Sequence, residues 1–172
     1  MNPLDINRIN INSPYKVWAE NEVIRFETTH GIRYAVDFDH EDIPLFKAYW
    51  LNLTNESHKP SPNDKLIPKT LICIVEEFFR QNPDILLYLC STDNDQQAQR
   101  SRLFLRWFNG YEQQLKYVIK TGDVPSTTPE GQPTKEYVAL IVQRNHPQLQ
   151  SIIDFFDEEI AMFCAHKPYS AS

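Results

Sequence analysis

The chain has 172 residues, of which 41% are hydrophobic and 23% are charged, and this composition excludes a disordered or low-complexity protein. Its formal net charge of −6 disfavours nonspecific binding to nucleic acid or to an anionic membrane, because both require an excess of positive charge. The three cysteines are widely spaced, which excludes a disulfide framework and a paired zinc-ligand motif. No apolar run is long enough for a secretory signal or a membrane span, so we expect a cytoplasmic protein without a membrane partner.

The first 13 residues alternate asparagine with isoleucine and carry no recognisable turn or cap signal. Residues 1–13 are therefore predicted to be an N-terminal arm that pairs at a sheet edge. Residues 14–168 are predicted to form a single domain, and residues 169–172 a C-terminal tail.

The clearest local signal is a β-hairpin over Glu22–Asp39, in which two alternating runs are joined by the three-residue loop Thr29-His30-Gly31. Gly31 supplies the left-handed conformation that this loop requires. The loop sets the register of the two strands. It pairs Phe26 with Tyr34 and Ile24 with Val36 on a core face, and Glu27 with Arg33 on a polar face.

The elements that follow are predicted from changes in hydrophobic periodicity. Leu45–Leu53 alternates as a third strand, whereas Ile67–Gln81 carries its apolar residues on one face of a helix. Ile85–Cys90 is apolar on both faces, as expected of a central strand. Two more strands are predicted at Gln114–Lys120 and Glu136–Arg144. Residues 121–134 between them contain proline, glycine and hydroxyl residues, which are typical of a long mobile loop.

The C-terminal helix, which is predicted to begin at His146-Pro147, carries a narrow apolar stripe. A stripe of this kind most often packs on the chain's own sheet, which is the interpretation we favour. Its nearly heptad spacing leaves a homodimer through the helix at residues 149–163 as the alternative. The stripe consists of Leu149, Ile153, Phe156, Ile160 and Phe163.

The complete order of predicted elements is β-β-β-α-β-α-β-β-α. It predicts an α+β fold, in which helices pack on a largely antiparallel sheet of about six strands. The four glycines are isolated from one another, so the chain lacks the Walker and Rossmann loops that hold nucleotide phosphates. It also lacks a Gly-x-Ser-x-Gly elbow and a His-Glu-x-x-His pair. We therefore expect no cofactor and lean against an enzyme, although a catalytic site assembled from distant segments stays open.

The main candidate for a functional site is the strand-to-helix junction from Ser91 to Phe108. A helical wheel places Arg100 in the apolar face and Arg102 and Arg106 together on the opposite side. In the structural interpretation, which we favour, an acid such as Asp93 pairs with Arg100 to fix the helix on the sheet. In the functional interpretation, Arg100 holds an acidic ligand group in a polar pocket at the end of the central strand. The candidate binding residues are Asp93, Asp95, Arg100, Arg102 and Arg106.

Several segments of the chain share a pattern with known proteins: the strand ILLYLCS, the run DNDQQAQRSRLFLRWF, the later YVALIVQRNHP and the acidic-aromatic C-terminal helix. Together they resemble a family of small bacterial proteins that is known only as a domain of unknown function. The resemblance covers Tyr15 to Pro168 and is most specific over Arg100–Phe108. It implies a single domain and brings no activity, cofactor or catalytic residue.

A second candidate site is the acidic run at residues 37–42. Strand alternation places Asp37 and Asp39 on one face about 7 Å apart, and with His40 they could bind a divalent metal. Acidic turns are common, so we favour a solvated strand end and predict no metal, with Asp37, Asp39 and His40 as the weaker alternative.

These patterns favour a non-catalytic, cytoplasmic binding or regulatory module. Its predicted site is the polar junction at residues 91–106, and its predicted partner is an unknown protein or a small acidic ligand. The alternative is an enzyme with a non-local, metal-assisted site that joins this junction to the acidic strand end at residues 37–42.

Overall fold

The protein is built on a β-sheet. The computed structural model describes residues 1–90, 102 and 104–165. Their strands are β1 (Val17–Glu20), β2 (Val23–Glu27), β3 (Arg33–Asp42), β4 (Lys47–Asn55), β5 (Ile85–Cys90), β6 (Tyr117–Thr127) and β7 (Pro133–Gln143). They lie in the order β1-β2-β3-β4-β5-β7-β6, and neighbouring strands are antiparallel except at β4 and β5. The predicted α+β fold with a largely antiparallel sheet is confirmed, and the strand missing from the prediction is the four-residue β1.

The parallel pair β4 and β5 joins the two halves of the sheet. Its register contains Ala48 with Ile85, Tyr49 with Leu86 and Trp50 with Leu87. Parallel neighbours need a crossover connection, because the chain must return to the same end of the sheet before the second strand begins. Helix α2 (Leu66–Gln81) provides this crossover.

The other helices lie before and after this crossover. They are α1 (Ile6–Asn12), the helical residues 104–108, which we number α3, α4 (Tyr111–Lys116) and α5 (Leu149–Ala165). Within the part of the chain that the structure describes, no helix combines the length and the apolar character needed to cross a membrane.

The helices cover the sheet from both sides, which gives three layers. On one face, residues of α1, α2 and α3, including Ile9, Phe78 and Phe104, form a large apolar core with the sheet. On the other face, α5 packs on β6 and β7, and Ile152 and Phe156 join a second apolar cluster. Strands β5 and β7 are therefore buried from both sides, as the doubly apolar sequence of β5 predicts.

The predicted hairpin is confirmed residue by residue. Phe26 pairs with Tyr34, Ile24 with Val36 and Glu27 with Arg33. The loop closes with hydrogen bonds from Thr28 N to Ile32 O (2.9 Å) and from Gly31 N to Thr28 O (2.9 Å). Gly31 has a φ of 72°, which is the left-handed conformation expected of it.

The third predicted strand begins later in the sequence than expected, whereas the bounds of the crossover helix are close to those predicted. Strand β4 begins at Lys47, later than the predicted start at Leu45. Leu45 itself is 70% exposed. Helix α2 begins one residue before the predicted Ile67 and ends at the predicted Gln81. The apolar face assigned to it from the sequence is buried.

The predicted loop at residues 121–134 is wrong, because most of this segment extends β6 and β7. The two strands pair from Tyr117 with Gln143 to Thr127 with Pro133, and only a short turn separates them. Pro125 lacks the N–H that a central strand would use, but β6 is an edge strand, where proline is tolerated. The strand predicted at Gln114–Lys120 also begins later, at Tyr117, because α4 occupies the residues before it.

The N-terminal arm is predicted to pair at a sheet edge, and this is wrong, because residues 6–12 form α1. Asp5 caps the helix by accepting hydrogen bonds from Asn7 N (3.0 Å) and Arg8 N (3.3 Å). Ile9 is buried in the main core. Asp5 is an N-cap signal of the ordinary kind, and the alternation of Asn with Ile obscured it.

Candidate ligand-binding groove

An apolar groove of about 240 Å³ lies between α5 and the sheet, and we call it the α5 groove. Its floor consists of Ile85 and Leu87 from β5 and Val138 and Leu140 from β7. These side chains share a face because residues along a strand point alternately to its two sides. The groove therefore lies over the centre of the sheet.

One wall of the groove is α5. Ile152 and Phe156 anchor the helix, and they are 0% and 5% exposed. Phe155 and Ile160 also line the groove, and Phe163 lies towards the end of the helix with 53% of its surface exposed. The wall is thus firmly packed in its first half and open to solvent towards its C-terminal end.

Gly122 on β6 allows the C-terminal half of α5 to approach the sheet. A Cβ atom at this position would lie 2.6 Å from Cγ1 of Ile160, which is shorter than any normal contact. Gly122 pairs with Val138 of the groove floor. Its missing side chain therefore sets the distance between the wall and the floor.

The opposite wall comes from the end of β3, the β3–β4 connection and β4. Ile43, Phe46 and Trp50 line it. The ring of Phe46 meets that of Phe155 edge to face, with 5.8 Å between centroids, so the two walls touch there. The indole Nε1 of Trp50 donates a hydrogen bond to Oε2 of Glu41, which fixes both side chains at the rim.

The charge of the groove is entirely negative within the described residues. Glu41 and Glu159 line it, and no lysine, arginine or histidine does. Both carboxylates are half-buried. The site is therefore an apolar, aromatic space with two acids and no basic group.

The predicted junction site is only partly within the described residues. Asp93, Asp95 and Arg100 lie outside them. Arg102 and Arg106 are helical and exposed, which agrees with their predicted position on the outer side of the helix. Phe104 is buried, as the apolar face of the wheel requires.

The structure does not bring the three predicted metal ligands together. Asp37 and Asp39 lie on one face of β3, where the amide Nδ2 of Asn52 donates to both, at 2.8 Å and 2.7 Å. His40 lies on the other face and packs edge to face on Tyr49 at 5.5 Å. Among the described residues, no group of three or more His, Cys, Asp or Glu side chains is placed to hold a metal ion.

The α5 groove is not among the sites predicted from the sequence, although the sequence carries signals for it. The stripe assigned to the last helix omits Ile152, which is the most buried residue of α5, and Phe155, which contacts the opposite wall. When Ile152 and Phe155 are included, the apolar face of α5 is too wide to pack on a single flat surface. This width indicates that a second surface packs against the helix. The core part of the stripe packs on the chain's own sheet, and a homodimer through residues 149–163 stays a prediction.

The side chains of Tyr117 and Cys73, whose pKa values are raised, lie on the other side of the sheet, away from the groove. Burial raises the pKa of the Tyr117 phenol to about 12, and the neighbouring carboxylate of Glu76 acts in the same direction. Burial also raises the pKa of the Cys73 thiol. Both groups are therefore held in their neutral forms.

Comparison with known proteins gives one match. A family model described as a family of unknown function (DUF6169) matches residues 63–158, which is more than half of the chain. The matched region contains the floor and the α5 wall of the groove as far as Glu158, but not the wall at residues 41–50. The comparison found no match among curated proteins or solved structures.

Proposed function

The chain belongs to DUF6169, a family of unknown function, and we propose that it is a binding module that takes a small apolar molecule into the α5 groove. The observation that carries this proposal is an apolar space of about 240 Å³ with aromatic walls over the centre of the sheet. An apolar cavity of about 150 Å³ is large enough to bind benzene. The groove therefore has room for a ring or for a short alkyl chain.

The exposed apolar surface at the open end of the groove supports the same proposal. Phe163 is 53% exposed and Leu89, on the same face as Leu87, is 45% exposed. Exposed apolar side chains beside a concave space are typical of a ligand site. A molecule that covers this surface gains about 25 cal/mol for each Å² of apolar area removed from water.

The test is a saturable titration with 1-octanol, a neutral apolar probe. Trp50 lines the groove, so a W18F/W107F variant leaves it as the only tryptophan and as a fluorescence reporter of occupancy. We expect octanol to change the Trp50 emission in a saturable manner. The V138F variant should abolish this change, because the added ring fills the floor.

The matched control is V23F, the same substitution on β2, outside the groove. It should leave octanol binding unchanged, and the unfolding midpoints of both variants show whether they fold. A linear, non-saturable response in the parent protein, or equal binding by V138F and V23F, would overturn the proposal.

A second candidate function is recognition of a protein partner through Arg102 and Arg106, which is favoured by the exposure of both side chains. They are four residues apart, which places them on one side of a helix. The R102A/R106A variant should keep its unfolding midpoint and lose a partner that the parent protein recovers from a lysate. K16A/K65A removes two exposed cations elsewhere and should recover that partner normally. Equal recovery by both variants would count against this function.

The cytoplasm of a bacterial cell is the location we propose for either function. Three widely spaced cysteines suit a reducing compartment, and the sequence resembles a family of small bacterial proteins.

A further inference from the structure

We propose that the α5 groove is specific for an amphiphilic cation, a small molecule with an apolar body and one amine or quaternary ammonium group. This inference rests on the proposed function of the same groove and adds the charge of the molecule that it takes. Apolar surface alone would accept any hydrophobic molecule of the right size. The preference for a cation comes from the charged and aromatic residues of the groove.

The first argument is the uncompensated charge of the groove. The carboxylates of Glu41 and Glu159 are half-buried in apolar surroundings, and no basic side chain among the described residues lines the groove with them. Partly desolvated carboxylates favour a nearby positive charge, because water no longer solvates them fully. A neutral occupant would displace water from these carboxylates without giving them a charged partner. An anionic occupant would in addition be repelled by them.

The second argument is the position of Glu41. Its Oε2 accepts the indole hydrogen bond from Trp50, which holds the carboxylate in one orientation. Among the described residues no side chain donates to the other oxygen, Oε1. The protein thus holds a negative charge in a fixed place at the rim of an apolar space, where a protonated amine can donate to Oε1 and a quaternary ammonium group is attracted by the charge alone.

The third argument is the aromatic character of the walls. Phe46 and Trp50 lie on one side of the groove, and Phe155, Phe156 and Phe163 lie on the other. The faces of aromatic rings carry partial negative charge and attract cations, and tryptophan does so most strongly. Cages of aromatic rings are a recurrent means by which proteins recognise quaternary ammonium groups.

The experiment compares three probes with the same alkyl chain and different head groups: octyltrimethylammonium, 1-octanol and octanoate. Binding is measured by isothermal titration calorimetry below the concentrations at which the probes aggregate. We expect the cation to bind about tenfold more tightly than octanol, which corresponds to about 1.4 kcal/mol, and octanoate to bind most weakly. Added salt should reduce the difference between the cation and octanol.

The variant E41Q/E159Q should lose the preference for the cation over octanol, and its unfolding midpoint shows whether it folds. The control E130Q/E158Q removes the same number of charges from exposed positions outside the groove and should keep the preference. If octanol binds and the cation binds no tighter, the inference is overturned while the proposed function stands. If none of the three probes binds, the proposed function itself fails. A preference that survives E41Q/E159Q would also overturn the inference.

Discussion

Glu77 is a fully buried carboxylate on α2 that connects the N-terminal segment to the core. Its side chain is 0% exposed, and Oε1 accepts hydrogen bonds from Asp5 N (3.1 Å) and from Gln81 Nε2 (2.9 Å). Oε2 forms an ion pair with Arg80. Asp5 is the residue that caps α1, so a single carboxylate fixes the start of α1 to the C-terminal part of α2.

We expect E77A to lower the free energy of unfolding by about 2–3 kcal/mol, because Asp5 N and Gln81 lose a buried acceptor. E77Q keeps an acceptor oxygen, so its free energy of unfolding should fall by roughly half as much as that of E77A. Urea denaturation measures both. E76A, at the neighbouring half-buried position, is the control and should cost less than about 1 kcal/mol. Equal losses for E76A and E77A would show that Glu77 has no special part in holding the N-terminal segment.

Tyr117 makes the stability of the protein sensitive to alkaline pH. Its folded-state pKa of about 12 lies above the ordinary value of 10.0, so the folded protein retains the phenol proton more strongly than the unfolded chain does. This stabilisation is present in full below about pH 10 and is lost as the pH rises towards 12.

We expect the Y117F variant to gain stability relative to the parent protein by about 1 kcal/mol between about pH 9 and pH 11. Tyr15 and Tyr49, whose pKa values are also raised by burial, titrate in both proteins and cancel in the comparison. Urea unfolding across this pH range provides the measurement. If the unfolding free energies of the two proteins change with pH in parallel, the prediction for Tyr117 is contradicted.

At the scale of elements, the two long hairpins show what the sequence could and could not predict. The loop at residues 28–32 is predictable, because Gly31 lies between two alternating runs. The loop at residues 128–132 has the same geometry: Thr128 N donates to Gln132 O (2.9 Å), and Gly131 has a φ of 80°. Both loops have threonine three residues before glycine, and this repeated spacing was the available signal.

The second hairpin could not be predicted from local composition because Pro125 and Pro133 read as strand breakers. Proline is tolerated on an edge strand, as at Pro125 of β6, and at the first residue of a strand, as at Pro133 of β7, and only the strand order shows that β6 is an edge. The α5 groove is harder still to predict. Its walls are more than a hundred residues apart in the chain, and a contact such as that between Phe46 and Phe155 has no local signal.

The packing of α5 on β6 depends on Gly122, and we expect G122A to be destabilising by about 1–3 kcal/mol. The new methyl group would collide with Ile160, so the double variant G122A/I160A should cost less than the sum of the two single variants. Thermal and urea unfolding are measured for the parent protein, G122A, I160A and G122A/I160A. G131A is the control, because its cost of about 1 kcal/mol arises from the left-handed backbone alone and should add to that of I160A. Simple additivity for G122A and I160A would contradict the contact.

At the scale of the whole molecule, the two faces of the sheet are covered to different extents. The face under α2 carries the main core, whereas on the opposite face α5 packs on β6 and β7 and reaches β5 and Ala48 of β4. Asp37 and Asp39 of β3 do not line the groove beside α5, and they remain on a polar surface with Asn52 as their partner. The open part of the sheet therefore accounts for Asp37 and Asp39, whereas Glu41 of the same acidic run lines the α5 groove.

The parallel junction between β4 and β5 has a mechanical consequence. It divides the sheet into two antiparallel halves that meet at the pairs Ala48–Ile85, Tyr49–Leu86 and Trp50–Leu87. Trp50 lies on one side of this line and Leu87 on the other, and both line the α5 groove. A molecule bound there touches both halves and must leave before they part, so occupancy should slow amide hydrogen exchange at Tyr49 and Leu86 more than in the β1–β2 hairpin. The occupant of the groove would then hold the two antiparallel halves together at their parallel junction.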